Sequence, residues 1–374
     1  MLKLPSLMMT TLNRKGENMK SIFISGMAGS GKTAIALGLA LKLREQGIKV
    51  GYFKPLDPTK GTREKTDDDV VLLKEVLNLP YDDSILSPVH TSPSHLSREL
   101  NLSTNGNAYL DKIKNAYEQV ANDSEVVIVD GSLSPYTASG LGLDAISLAK
   151  MLNSALIYVI RLEDDYSLDK TIFYNDHFRL SGINILGNIF NNVSRTLLDK
   201  TKGIYTPLLE KFGHPVLGVI PQKVEIAAPT VREYHEALGG ELLTGSETGM
   251  SRLVEENVVG SMTIEGALSY LRRAPNKAVI TGGDRSDMAI TALETSTSVL
   301  ILTGGLYPDV SVISKATEKD VPIILVHYDT YTAIEKMNEV SRRILPSDTK
   351  AVQIALENIE KHCNWEAVVD YCRS

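Results

Sequence analysis

Short apolar runs rich in β-branched residues recur along the chain: Ser21-Ile22-Phe23-Ile24, Val50-Gly51-Tyr52-Phe53, Val126-Val127-Ile128-Val129, Ala155 to Ile160, Ile185 to Phe190 and Val216 to Ile220. Between them lie stretches with apolar residues at helical spacing, such as 34 to 45 and 109 to 121, and Gly47 follows the first where a C-cap glycine belongs. Strand runs without polar alternation, separated by helices, predict an α/β fold with a parallel sheet covered on both faces. Such a sheet carries its functional loops at the carboxyl ends of its strands. A second series comprises Ala278-Val279-Ile280, Val299-Leu300-Ile301-Leu302 and Ile323-Ile324-Leu325-Val326, alternating with helical stretches Ser286 to Glu294 and Asp329 to Ser341. It begins after Gly239-Gly240, and Gly245-Ser246-Glu247-Thr248-Gly249 reads as a linker. The expected organisation is a disordered leader over 1–18, a first domain over 19–242 and a smaller α/β domain over 243–374. Met19 is a candidate native start, and Ser84 to Ser103 is expected to form a loop or lid.

The 374 residues suit two domains, and 43% hydrophobic with 23% charged residues is the balance of an ordinary globular protein. No run approaches the roughly 18 apolar residues of a membrane span. A net charge of −7 without a Lys/Arg cluster leaves no footprint for nucleic acid. Cys363 and Cys372 are the two cysteines, too few for a disulfide framework or a four-ligand zinc site, so a reducing cytoplasm is the expected setting.

One turn carries explicit chemistry. Gly26-Met27-Ala28-Gly29-Ser30-Gly31-Lys32-Thr33 fits GxxxxGK[ST] and lies between a strand run and a helical pattern. The glycines let backbone N–H groups from Gly26, Ala28, Gly29, Ser30 and Gly31 point at phosphate oxygens, and the following helix aims its positive end at the same anion. Lys32 is expected to neutralise phosphate charge and the Thr33 hydroxyl to ligate Mg²⁺, so Mg-ATP is the expected ligand. Asp130 ends the strand Val126 to Val129 before Gly131, where a carboxylate reaches the metal or its water. Met27 stands where partition ATPases of the ParA/MinD type carry an additional lysine, so that mechanism lacks a needed charge. Asp67-Asp68-Asp69 heads an amphipathic helix from Val70 to Leu77, where helix capping competes with metal binding.

These residues resemble the dethiobiotin synthetase and cobyrinic acid a,c-diamide synthase group of P-loop proteins. The resemblance covers 19 to about 225 and rests on the P-loop, Gly51-Tyr52-Phe53-Lys54-Pro55, Asp69-Val70-Val71-Leu72-Leu73 and Gly187-Asn188-Ile189-Phe190-Asn191-Asn192-Val193. It implies that Lys54 meets substrate and phosphate, Asp69 helps hold Mg²⁺ and Asn191 reads the adenine. By the residues alone, Lys54 also reads as a solvated strand end and Asn191 as a turn residue after a buried strand. The sequence departs from the group at Asp130-Gly131-Ser132-Leu133, where dethiobiotin synthetases carry a Glu-Gly-Ala-Gly-Gly substrate loop.

The second domain resembles the DRTGG domain, through Gly283-Asp284-Arg285-Ser286-Asp287, Leu302-Thr303-Gly304-Gly305 and Asp329-Thr330-Tyr331. The order of the two is similar to that in the N-terminal half of long phosphotransacetylases. Asp284 and Arg285 are expected to form an ion pair, a dimer contact or an anion site. Three functions follow as expectations: an ATP-binding regulatory or sensor module, an ATP-dependent synthetase that activates a small carboxylate as an acyl phosphate, and an adaptor whose contacts nucleotide tunes. Homodimerisation is the default assembly. Amidotransfer would need a glutaminase nucleophile, for which Cys363 and His362 are poorly placed. Substrate choice would lie in the loops Gly61 to Thr66, Ser87 to Ser103 and Ser132 to Gly142.

Overall fold

A computed structural model describes residues 19–57, 68–91, 105–338, 340 and 342–374. The leader, the Gly61–Thr66 loop and most of Ser87–Ser103 lie outside these residues. The chain divides into two compact units: the first takes the described residues up to Gln222 together with Ile344–Ser374, and the second is Lys223–Arg343.

In the first unit, β1 (Lys20–Gly26), β2 (Val50–Phe53), β5 (Val126–Asp130), β6 (Ala155–Arg161), β7 (Ile185–Val193) and β8 (Val216–Pro221) form one sheet in the order β2-β5-β1-β6-β7-β8. Every pairing in it is parallel. A two-residue pair, β3 (Leu56–Asp57) with β4 (Val89–His90), stands apart. Helices cover both faces, so β5 is buried at all five positions and β1 at all but the first. The apolar runs are continuous because neither face meets water. The topological switch falls at β1, whose neighbours β5 and β6 lie on opposite sides, and this places a crevice at their carboxyl ends.

The second unit holds the sheet β10-β11-β12-β13-β9: β9 (Glu241–Thr244), β10 (Glu256–Val259), β11 (Lys277–Gly282), β12 (Thr297–Thr303) and β13 (Ile323–Leu325). Four strands are parallel, and β9 pairs antiparallel with β13 at one edge. Two apolar layers sandwich it, one centred on Met288, Leu293 and Leu300, the other on Val231, Tyr234 and Met337.

This division differs from the expected boundary at 243 in two ways. The helix Val231–Leu238 packs in the second core, and β9 completes its sheet across residue 243. The Gly245–Gly249 segment is not a linker: Ser246 caps a short helix, Glu247–Met250, with Met250 buried. At the other end, the helices Thr349–His362 and Trp365–Arg373 belong to the first unit. Gly38 lets the P-loop helix Lys32–Glu45 approach the helix Thr349–His362, where a Cβ would lie 2.7 Å from Ile359 Cγ1 and against the Ala355 carbonyl. Lys42 joins them, its ammonium 2.5 Å from Glu360 Oε1 and 4.6 Å from the Trp365 ring centre. Tyr371 donates to the Ser21 carbonyl at 3.3 Å. No helix among the described residues is long and apolar enough to cross a membrane.

Candidate functional site

The crevice is built around the turn between β1 and the P-loop helix. Gly26 is obligatory on packing grounds, since a Cβ there would sit 2.5 Å from the Val159 carbonyl oxygen of β6. Gly29 (φ +71°) and Gly31 (φ +82°) take the left-handed conformation that curls the loop's amides inward. The helix begins without a side-chain cap and without an acidic residue in its first turn. Its amino end therefore keeps donors and dipole available to an anion. The Ser30 hydroxyl is buried with no hydrogen-bond partner among the described residues, and the Ser132 hydroxyl is in the same condition. A buried hydroxyl left so costs about 1–3 kcal/mol, which a phosphate oxygen or a bound water would relieve.

Lys32 folds back over the loop, its Nζ 3.2 Å from the Gly26 carbonyl and 3.0 Å from that of Met27. Burial and then the nearby Lys54 charge pull its pKa down to about 8, against the opposing pull of Asp130 and Asp69. In-register pairing of Ile24 with Asp130 brings the end of β5 beside the P-loop. Asp130 is buried there and accepts from Thr33 Oγ1 at 3.2 Å and from the Tyr52 hydroxyl at 3.1 Å. Gly131 completes the approach, because a Cβ there would lie 2.6 Å from the Ile24 carbonyl oxygen.

Lys54, one residue beyond β2, is buried, and its Nζ lies 2.7 Å from Asp69 Oδ2 on the helix Asp68–Val76. Burial works against the Asp69 charge, but Lys54, the Thr33 hydroxyl and Lys32 outweigh it and hold the carboxyl below its usual range. Asn191, near the end of β7, donates from Nδ2 to the Ser30 carbonyl at 2.8 Å and so braces the P-loop. Asn188 of the same strand points into the core instead, where it and Asn175 exchange amide hydrogen bonds of 2.8 and 3.1 Å.

The structure thus brings Lys32, Thr33, Lys54, Asp69 and Asp130 together, with Asn191 beneath the loop. Sequence reasoning passed over Tyr52, which orients Asp130, and Arg161, which ends β6 beside Gly29. Arg161 is the last residue of β6 and Tyr52 the last but one of β2, and nearness to a strand's carboxyl end was the available signal. No group of three or more His, Cys, Asp or Glu residues that could hold a metal occurs among the described residues. An Mg²⁺ ion here would draw Thr33, Asp69 or Asp130, directly or through water, and complete its octahedron with phosphate oxygens and water. Burial pushes the Cys363 thiol up to about 12, and its side chain packs against Gly218.

In the second unit, Arg285 bonds to Asp287 (3.2 Å) and to the Met262 carbonyl (3.2 Å). The Thr303 and Thr330 hydroxyls meet at 2.9 Å.

A parallel sheet with a glycine-lined strand-to-helix turn at its switch point, a lysine and threonine opening the helix and a carboxylate on the adjoining strand define a P-loop NTPase-type protein. The chain belongs to the AAA domain family whose model matches residues 20–230, and the DRTGG domain model matches 233–340. It is 27% identical over 356 residues to the phosphate acetyltransferase of Pseudomonas putida, covering 89% of this chain and 49% of that one. The Synechocystis phosphate acetyltransferase is 23% identical over 369 residues, covering 93% and 51%. The chain spans about half the length of these curated relatives. The ATP-dependent dethiobiotin synthetase of Bacillus licheniformis is 30% identical over 218 residues, 57% of this chain and 89% of its own. Among solved structures, MinD of Pyrococcus horikoshii with Mg-ADP shares 18% identity (TM-score 0.34, 56% of this chain, 83% of that one). The CBS and DRTGG domains of Clostridium perfringens pyrophosphatase with diadenosine tetraphosphate share 16% (TM-score 0.28, 41% and 75%).

Proposed function

We propose that the first unit binds Mg-ATP and that the chain is an ATP-responsive regulatory module, the role fitting a P-loop unit joined to a DRTGG domain. The observation carrying this reading is the convergence of Lys32, Thr33 and Asp130 on an uncapped helix amino end, with Lys54 and Asp69 alongside. Lys32 would leave the loop carbonyls for the β and γ phosphates, and Thr33 with Asp69 and Asp130 would hold the metal. Asn191, already fixed to the Ser30 carbonyl, would present the rest of its amide to the adenine. Homodimerisation through the DRTGG region is part of the same proposal. Calorimetry with Mg-ATP tests it: saturable heat is expected for the native chain and none for Lys32→Ala, whereas equal heats would refute it.

The buried Lys54 supports a second reading, a synthetase that activates a small carboxylate as its acyl phosphate. Lys54 would neutralise charge on the transferring phosphoryl group. The likeness to the dethiobiotin synthetase adds to this, but Ser132 and Leu133 replace that group's substrate loop. Carboxylate-dependent ADP release above the basal rate would favour the synthetase; its absence across a broad panel leaves the regulatory reading.

A further inference from the structure

Among the described residues, the charges gathered around the start of the P-loop helix cancel: Lys32 and Lys54 are offset by Asp69 and Asp130, and each lysine is engaged with the loop or a carboxylate. Lys32, Lys54 and Asp130 follow or end β1, β2 and β5, which all lie on one side of β6. On the other flank, β6 ends in Arg161, paired in register with Asn191 of β7, the residue that holds the Ser30 carbonyl. The Arg161 guanidinium lies directly against the loop, because a Cβ on Gly29 would come within 2.6 Å of Nη1. Among the described residues it is tied back by Nε to Glu163 Oε1 at 2.9 Å, with both side chains about half exposed or more (49% and 64%). An exposed pair of this kind is weak and is readily exchanged for a better anion.

We propose that Arg161 is a phosphate-binding residue of this site, released from Glu163 to make charge-assisted contacts with a polyphosphate seated on the P-loop. Its planar fork suits adjacent phosphate oxygens, and it supplies positive charge that the neutral quartet lacks. Glu163 is the gate: it competes with the nucleotide for the same guanidinium, so the free site keeps Arg161 ordered but disengaged. This rests on the nucleotide-binding reading above.

Binding of Mg-ATP and a non-hydrolysable ATP analogue to the full chain tests it, with Arg161→Gln, Arg161→Lys and Glu163→Gln. Loss of one charge-assisted contact weakens binding about ten-fold in Arg161→Gln, since about 1.4 kcal/mol is a factor of ten. The lysine variant recovers part of this, and the salt dependence of binding becomes shallower in the glutamine variant. Glu163→Gln tightens binding by about two- to three-fold as the competing carboxylate disappears. Matching circular dichroism melts would show that Arg161→Gln leaves the fold alone. Normal binding by the native chain with Arg161→Gln within two-fold of it, or weaker binding by Glu163→Gln, overturns the inference. Absence of binding by the native chain sinks the nucleotide reading and this inference together.

Discussion

Gly38 and Gly266 offer opposite outcomes from the same chemical change. Both lie in helices, where replacing glycine by alanine removes backbone freedom from the unfolded chain and gains about 0.4–1 kcal/mol if the added methyl has room. At Gly266, on the exposed side of the helix Ile264–Arg273, the nearest atom to the new Cβ is Thr263 Oγ1 at 3.5 Å, an ordinary contact. At Gly38 the Cβ would press on the Ala355 carbonyl, with Ile359 Cγ1 at 2.7 Å and the Ala355 carbonyl carbon at 2.9 Å. The carbonyl is backbone of a well-packed helix, so the helices must part by a few tenths of an ångström or more. Overpacking of this kind costs about 1–3 kcal/mol, which exceeds the helix-propensity gain. The expected net effects are a loss of about 1–2 kcal/mol for Gly38→Ala in the first unit and a gain of about 0.5 kcal/mol for Gly266→Ala in the second. Urea titration reads them as opposite shifts in midpoint at unchanged m-value, each followed on the transition of its own unit. A higher midpoint for Gly38→Ala would refute the close packing of the P-loop helix against residues 349–362.

Two pH dependences follow from buried lysines. With the Lys32 pKa brought down to about 8 in the free site, its charge fades above that pH while a bound polyphosphate favours the protonated form; affinity for Mg-ATP therefore falls about ten-fold between pH 7 and 9. Calorimetry of the native chain across that range checks this, and an affinity unchanged between pH 7 and 9 would refute it. Lys277 is fully buried in β11 with its ammonium on the Ala274 and Ser296 carbonyls at 3.2 and 2.7 Å, and desolvation lowers its pKa to about 8. Between that value and the ordinary 10.5 the unfolded chain binds more protons, so the second unit gains stability as pH rises, on the order of 2 kcal/mol from pH 7.5 to 9.5. Urea midpoints at the two pH values measure it, and a slope unchanged in Lys277→Met would refute the assignment.

The parallel sheet and the P-loop were legible because two-sided burial writes uninterrupted apolar runs and because a phosphate turn needs glycines at fixed places. Strand β9 was not: Glu241-Leu242-Leu243-Thr244 is an edge strand with two exposed residues, and its short pattern hides beside glycines that read as a break. The helices after Thr349 show amphipathic spacing, but a sequence pattern names an apolar face without naming its partner. Only Gly38, a small residue amid Leu37, Leu39 and Ala40, hinted that another helix comes close to the P-loop helix. Lys54 was ambiguous for a similar reason, since a lysine at a strand end is usually solvated; its burial beside Asp69 depends on how the helix Asp68–Val76 packs. The Asn188 and Asn191 amides were indistinguishable as letters and are separated by burial partners: one fastens a helix to the core, the other fastens the loop.

The return of residues 344–374 to the first unit sets an order of assembly. The ribosome delivers the whole of Lys223–Arg343 before the helices that shield the far side of Lys32–Glu45 exist. Until then Gly38 and the apolar positions around it are open to misplaced contacts, and of the two units the one that starts earlier in the chain is completed later. A nascent chain stalled near residue 343 should expose that helix to chaperones and proteases, although every residue of the phosphate turn has already been made.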